Sequence, residues 1–170
     1  MSSNDDKTGK FKAQRCDKFT IVLNDSQNGL ILRNSDYIFR CFMVGQFDLK
    51  YVAVIKHDRD EDEYHNAKTT HYHVVLCLNS RYRVGTILEK IKDSIIGINE
   101  NQIQIDKCSS VSAQSRYLIH LDDRDKYQYD ESDVVTNNRE QLNYYLKEVV
   151  AINDINDLIE ICAQYPSLNQ

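Results

Sequence analysis

The segment 71–78 reads His-Tyr-His-Val-Val-Leu-Cys-Leu and constrains the fold more than any other stretch of the chain. Its apolar run is typical of a buried β-strand. Successive side chains of a strand point to opposite faces, so His71 and His73 are expected on the same face. The fold must therefore contain a sheet that carries two imidazoles side by side.

The remaining apolar patterns predict an α+β fold with an antiparallel sheet. Alternation of apolar residues predicts further strands, and a helical spacing of apolar residues predicts the helices between them. The order strand, helix, strand, strand, helix, strand is typical of the split βαβ topology of ferredoxin-like and RNA-recognition-motif-like folds. The predicted strands are 18–23, 51–57, 71–78 and 103–108, and the predicted helices are a short one capped by Asn34 or Ser35, 84–95, and one from Ser110 or Ser112 to about Leu121.

Three segments are expected along the chain. Residues 1–16 are polar and predict a flexible tail, residues 17–133 form the main domain, and residues 134–170 form a helical C-terminal segment. Two amphipathic helices, 138–151 and 154–165, are predicted in that last segment. They could pack on the sheet, or they could form a hairpin that associates with other copies of the chain.

The charge of the chain limits the kinds of partner that it can bind. The formal net charge of -5 argues against a general nucleic-acid coat protein, whose affinity depends on an excess of Lys and Arg. Five acidic residues lie between Asp58 and Glu63, so much of the negative charge belongs to one loop. A local basic surface that includes Arg81 and Arg83 remains compatible with binding to DNA.

Cellular location is predicted from apolar runs and from cysteines. No apolar run has the length of a membrane span, and the N-terminus lacks the apolar region of a signal peptide. The five cysteines are widely spaced without a Cys-X-X-Cys pair, which favours reduced and mostly buried thiols. We therefore expect a cytoplasmic protein without a membrane partner.

Histidines and an aspartate near the ends of two adjacent predicted strands suggest a metal site. His57 and Asp60 end the second strand, and His71 and His73 begin the third, so the topology brings all four to one end of the sheet. Three imidazoles and one carboxylate suit Mn, Co or Zn. A calcium loop beginning at Asp58 is excluded, because Glu63 stands where glycine is required and Thr69 stands where a bidentate glutamate is required.

A catalytic role needs a nucleophile beside such a metal. In the segment 115–120, Ser-Arg-Tyr-Leu-Ile-His, Tyr117 and His120 are predicted to share one face of a helix. A helical tyrosine is more often a core aromatic than a catalytic group. Tyr117 alone therefore leaves both interpretations open.

Three motifs in this order resemble the small rolling-circle plasmid replication initiators of the HUH endonuclease superfamily. They are His57-Asp58-Arg59-Asp60, then His71-Tyr72-His73, then Arg116-Tyr117-Leu118-Ile119-His120. The resemblance covers about residues 18–130 and includes the segment Lys-Tyr-Gln-Tyr-Asp at 126–130. Thr70 stands where many relatives have Pro, Ile119 stands where Thr is common, and His120 stands where viral relatives place Lys.

The resemblance implies an HUH endonuclease fold and an activity. His57, Asp60, His71 and His73 would bind a divalent cation, typically Mn or Mg, and Tyr117 would attack a phosphodiester of single-stranded DNA. The products would be a 5′-phosphotyrosyl link and a free 3′-hydroxyl that can prime replication. The substrate would be single-stranded DNA or an origin hairpin, contacted by basic groups that include Arg81, Arg83 and Arg116.

Several alternatives stay open. The chain could be a single-tyrosine transposase or relaxase of the same superfamily, or a non-catalytic DNA-binding protein stabilised by its metal. The sequence lacks the Gly-x-x-x-x-Gly-Lys-Ser/Thr motif of a nucleotide-driven helicase. A separate helicase is therefore expected as a partner, unless the chain is a nuclease domain of something longer. Association through the C-terminal helices would give a homo-oligomer.

Overall fold

The computed structural model describes residues 14–25 and 32–147. This part of the chain contains five β-strands, four α-helices and two short 3-10 helices. In chain order the elements are β1 (Arg15–Asn24), α1 (Ser35–Val44), β2 (Leu49–His57), β3 (His71–Arg83), α2 (Val84–Ser94), a 3-10 helix (Glu100–Gln102), β4 (Ile103–Lys107), α3 (Val111–Leu118), a 3-10 helix (Glu131–Asp133), β5 (Val135–Thr136) and α4 (Arg139–Lys147).

The strands form one antiparallel sheet in the order β4-β1-β3-β2-β5. The β3 strand is central because its long apolar run can be covered on both faces, and it pairs with β1 on one side and β2 on the other. The predicted α+β class and antiparallel sheet are confirmed. The first six regular elements, leaving aside the 3-10 helices, follow one another as β, α, β, β, α, β.

Each face of the sheet packs against a different pair of helices. On one face, Tyr72, Val74 and Leu76 of β3 join a core cluster with the buried residues of α1 and α2. On the other face, Val75 and Cys77 join a smaller cluster with α3 and α4. Since side chains two residues apart share a face, His71 and His73 lie on the side of α3 and α4. The second face therefore carries the candidate site.

Side-chain caps fix where two of the predicted helices begin. The Asn34 side chain accepts a hydrogen bond from the backbone N–H of Tyr37 (2.8 Å), and the Ser110 hydroxyl accepts one from the backbone N–H of Ala113 (3.2 Å). The predicted extension of α3 to Leu121 is wrong, because this helix ends at Leu118. The two-residue strand β5 was not predicted, since two residues are too few to show a period.

The C-terminal helices are described only in part. Helix α4 packs its buried Leu142 against the second face, and the Asn138 side chain accepts a hydrogen bond from the backbone N–H of Gln141 (2.9 Å) near its start. The rest of the predicted helix 138–151, the whole predicted helix 154–165 and nearly all of the predicted tail 1–16 lie outside the described residues. The boundaries after residues 16 and 133 remain predictions.

The described cysteines agree with the prediction of reduced and mostly buried thiols. Cys16, Cys41, Cys77 and Cys108 are free and buried, as expected for reduced thiols, and Cys162 lies outside the described residues. Among residues 14–25 and 32–147, no helix combines the length and the apolar character needed to span a membrane.

Candidate metal centre and active site

The register between β2 and β3 assembles the first part of the site. His57, the last residue of β2, lies directly opposite His71, the first residue of β3, and Ile55 lies opposite His73. The ring centroids of His57 and His73 are 4.5 Å apart, and those of His71 and His73 are 5.0 Å apart. The prediction that strand pairing brings the three histidines to one end of the sheet is confirmed.

Asp60 lies at the centre of a group of imidazole nitrogens. Its carboxylate oxygen Oδ2 is 3.1 Å from His57 Nδ1 and 3.4 Å from His71 Nε2. The same oxygen is 4.0 Å from Nε2 of His120, a residue to which the sequence interpretation gave no role in the metal site. The place of His120 in the motif around Tyr117 was a signal for such a role. The prediction assumed that the helix continues through His120, and that geometry did not bring its ring to Asp60.

Hydrogen bonds to backbone carbonyls determine which nitrogen of each ring faces Asp60. His57 Nε2 donates to the carbonyl of Leu118 (2.7 Å), His71 Nδ1 to that of Thr69 (2.9 Å) and His120 Nδ1 to that of Tyr127 (2.7 Å). A carbonyl oxygen only accepts, so each of these nitrogens carries the hydrogen. In neutral rings the opposite nitrogens carry lone pairs, and all three face Asp60 Oδ2. Histidine ligands of metals are commonly oriented in this way.

The electrostatic environment favours neutral rings at His57 and His73 and an ionised carboxylate at Asp60. Burial lowers the pKa of His57, although the Leu118 carbonyl and the Asp60 charge oppose this shift. Burial, reinforced by His57 and His71, lowers the pKa of His73 to about 3. Burial alone would raise the pKa of Asp60, but the positive charge that His57 and its neighbours carry when protonated, together with a hydrogen bond from Tyr129, lowers it below its ordinary value.

This donor set fits a divalent cation. One nitrogen from each of His57, His71 and His73 lies within 4.8 Å of the others, and so do ligand atoms of His57, Asp60 and His120. Lone pairs that converge on a carboxylate oxygen without a proton between them repel one another, and a cation among them removes that repulsion. The four predicted metal ligands are thus brought together.

Tyr129 supports the carboxylate from its other side. Its ring stacks on His57 with centroids 4.4 Å apart, and its hydroxyl donates to Asp60 Oδ1 (3.0 Å) while it accepts from the backbone N–H of Arg59 (3.0 Å). Burial and the Asp60 charge raise the pKa of this phenol. Tyr129 therefore orients Asp60, a role that the sequence did not predict.

Tyr117 lies on α3 at the edge of the histidine cluster. Its ring meets the rings of His73 and His120 edge to face, with centroids 5.4 and 5.2 Å apart. The side chain is partly exposed, and its hydroxyl is 3.5 Å from Nζ of Lys126. The predicted nucleophile is therefore beside the candidate metal ligands and accessible to a substrate.

A cavity of about 600 Å³ opens beside Tyr117. Its wall includes Arg59, Lys68 and Lys126, together with Glu61, Asp62 and Glu63 of the acidic loop. These carboxylates therefore line the space next to the candidate nucleophile.

The three arginines predicted to contact DNA fall into two groups, with Arg81 and Arg83 together and Arg116 apart from them. Arg81 and Arg83 lie at the far end of β3 and border a second cavity with Arg15. The β1 partners of His73 and Arg83 are Val22 and Arg15, seven positions apart, so Arg83 lies roughly 23 Å from His73. Arg116 instead pairs with Asp122 and donates to the backbone carbonyl of Leu146 (2.9 Å).

Comparison with known proteins identifies the family. A family model described as the origin-binding domain of plasmid replication proteins matches residues 11–143. The chain therefore belongs to this family. The chain is 34% identical over 80 residues to replication protein RepB of Lactiplantibacillus plantarum, a match covering 47% of this chain and 34% of the relative. It is 30% identical over 90 residues to a replication protein of Staphylococcus aureus, covering 53% and 42%. The chain thus spans less than half of either relative.

Proposed function

We propose that this chain nicks and rejoins single-stranded DNA at a plasmid origin, with Tyr117 as the nucleophile and a divalent cation as cofactor. The observation that carries the proposal is the position of Tyr117, whose partly exposed ring contacts His73 at the edge of a cluster of imidazoles around one carboxylate. A purely structural metal site has no need of an accessible tyrosine. The plasmid-replication family supports the same activity.

In this proposal, His57, Asp60, His71 and His73 hold the cation, for which Mn or Mg is the best candidate. The cation supplies Lewis-acid activation by neutralising charge on the scissile phosphate. Asp60 provides the anionic ligand, oriented by the Tyr129 hydroxyl. The carbonyls of Leu118 and Thr69 fix the ring orientation of His57 and His71, so these ligands are preorganised.

The chemical step exchanges one phosphodiester for another. The Tyr117 oxygen bonds to phosphorus, the bond from phosphorus to the 3′-oxygen breaks, and its electron pair remains on that oxygen. The phenol loses its proton and the 3′-oxygen gains one, which yields a 5′-phosphotyrosyl link and a free 3′-hydroxyl. Lys126 lies where its ammonium can balance charge on the attacking oxygen. The reverse reaction reseals the strand.

The fold supports assignment to the HUH endonucleases. Strand order β4-β1-β3-β2 with α1 and α2 packed on one face is compatible with the split βαβ topology, and the candidate ligands lie on the opposite face. We further propose a cytoplasmic protein that binds origin DNA, acts with a separate helicase, and assembles through its C-terminal helices.

One experiment tests the proposed function against its two alternatives. Single-stranded oligonucleotides from a plasmid origin are incubated with the protein and Mn²⁺ and then separated by denaturing electrophoresis. A covalent adduct with one new 3′-end supports a nicking and joining enzyme, and origin specificity separates an initiator from a transposase or relaxase. Binding without any adduct would instead support a non-catalytic metal-containing DNA-binding protein.

A further inference from the structure

His120 is a buried histidine, and one of its nitrogens has no hydrogen-bond partner in the described part of the chain. The residue is 1% exposed, and its Nδ1 donates to the carbonyl of Tyr127. Its Nε2 is 4.0 Å from Asp60 Oδ2 and has no hydrogen-bond partner within residues 14–25 and 32–147. A buried polar atom without a partner is unfavourable, so its persistence here calls for a physical reason.

The backbone conformation at His120 is one that favours glycine, so the presence of a histidine there needs an explanation. Helix α3 ends in a Schellman motif, in which the N–H of Leu121 donates to the carbonyl of Arg116 (3.1 Å) and the N–H of His120 donates to that of Tyr117 (3.0 Å). His120 has a φ of 56°, a left-handed conformation that glycine adopts most readily. A side chain at this position strains the backbone, and such strain is common at functional sites.

These two observations point to a ligand that approaches from the side of Asp60. The ring of His120 is fixed by Tyr127, and its free lone pair faces the same carboxylate oxygen as those of His57 and His71. The polar atoms that face this side are His57 Nδ1, His71 Nε2 and Asp60 Oδ2. None of them carries a hydrogen that it could donate to His120 Nε2. A cation can satisfy all of them at once.

We propose that His120 Nε2 is a further ligand of the divalent cation, in addition to His57, Asp60, His71 and His73. This inference rests on the proposed function, because it requires that a cation binds at Asp60. It also gives His120 a second effect. Since its backbone N–H is bonded to the Tyr117 carbonyl, ligation through His120 would hold the turn that carries the nucleophile against the metal centre.

The test compares His120→Gly and His120→Asn with the unchanged protein by calorimetric titration with Mn²⁺ alone. Both substitutions suit a left-handed backbone, so they remove the imidazole without adding strain. The matched control is the same pair of substitutions at His65, an exposed histidine that also has a positive φ, of 62°. We expect the His120 variants to bind Mn²⁺ at least about tenfold more weakly and the His65 variants to bind it normally.

The other outcomes separate this inference from the proposed function. Normal Mn²⁺ affinity in folded His120 variants would overturn the role of His120 and leave the cation site intact. A failure of the unchanged protein to bind Mn²⁺ would overturn the cation site itself. If the variants do not fold, pulsed EPR of the unchanged protein labelled with ¹⁵N-histidine decides, because coordination by His120 adds a fourth imidazole nitrogen to those of His57, His71 and His73.

Discussion

The hydroxyl of Tyr129 donates a 3.0 Å hydrogen bond to Oδ1 of Asp60, leaving the other carboxylate oxygen to face the histidines. The two residues are 69 positions apart in the chain, and Tyr129 reaches Asp60 from the segment that follows α3. This contact decides which oxygen of the carboxylate is available to a cation. We therefore expect Tyr129 to influence metal affinity and not the chemical step.

We expect Tyr129→Phe to weaken Mn²⁺ binding by about 10- to 100-fold, as the loss of an outer-shell partner commonly does. The protein should also lose about 1–3 kcal/mol of stability, because the Arg59 N–H and Asp60 Oδ1 lose a buried partner. Tyr127→Phe, at an exposed tyrosine of the same segment, is the control. Calorimetric titration provides the measurement, and an unchanged Mn²⁺ affinity would show that Tyr129 does not orient the ligand.

Replacing Tyr117 by Phe should abolish the covalent DNA adduct while folding and DNA binding are retained, because one exposed oxygen is lost and packing hardly changes. Denaturing electrophoresis of a labelled oligonucleotide measures the adduct. Tyr64→Phe, at a tyrosine that is 75% exposed, should behave as the unchanged protein does. An adduct that persists in the Tyr117 variant would mean that another residue is the nucleophile.

Replacing both His71 and His73 by Ala should eliminate detectable Mn²⁺ binding and DNA cleavage, since two ligands are removed. The apolar residues from Val74 to Leu78 should keep the sheet folded, which circular dichroism can verify. The variant His65→Ala controls for the loss of a histidine away from the cluster. Equal Mn²⁺ affinity in the double variant and the control would be incompatible with the proposed centre.

Metal-free protein should become less stable as the pH falls from 7 to 5. The pKa of His73 is lowered to about 3 in the folded state, whereas an unfolded histidine titrates near ~6.5. The unfolded chain therefore binds a proton in this range that the folded state does not bind. Stability is fully present above pH ~6.5 and is lost progressively down to about pH 3, with a loss of about 2 kcal/mol between pH 7 and 5 from His73 alone.

Urea unfolding at pH 7 and pH 5 measures this loss. A His73→Gln variant lacks the group, so its stability should change less over the same interval. Equal stability of the unchanged protein at both pH values would contradict the lowered pKa.

Replacing Arg81 and Arg83 together by Ala should weaken binding to origin DNA and reduce its salt dependence. Each lost phosphate contact should lower the log-log salt slope by about 0.7 for single strands or about 0.9 for duplex DNA. Because these arginines lie at the opposite end of β3 from His73, with Arg83 roughly 23 Å away by its pairing with β1, adduct formation at saturating DNA should be little changed. Arg40→Ala, at an exposed position of α1, is the control. An unaltered salt slope in the double variant would exclude these arginines from the DNA contact.

The sequence predicted the elements that depend on local chemistry. Apolar alternation identified the central strands and apolar spacing identified α2. Two candidate caps each, Asn34 or Ser35 and Ser110 or Ser112, marked the starts of α1 and α3, and the structure selects Asn34 and Ser110. The order of the His and Asp motifs predicted which strand ends would meet. Two consecutive antiparallel strands place the end of the first beside the start of the second. Sequence therefore sufficed to identify the candidate ligands His57, Asp60, His71 and His73 and the candidate nucleophile.

Tertiary structure decided the roles of residues whose partners lie far away in the chain. Whether His120 continues the helix or turns back toward Asp60 depends on a Schellman turn closed by backbone hydrogen bonds, and no side-chain pattern encodes that turn when histidine replaces glycine. Tyr129 reaches Asp60, and Arg116 donates to the Leu146 carbonyl, only because the chain after α3 folds back over the second face of the sheet. Periodicity reports which face a residue occupies, but it carries no information on which distant side chain will meet it there.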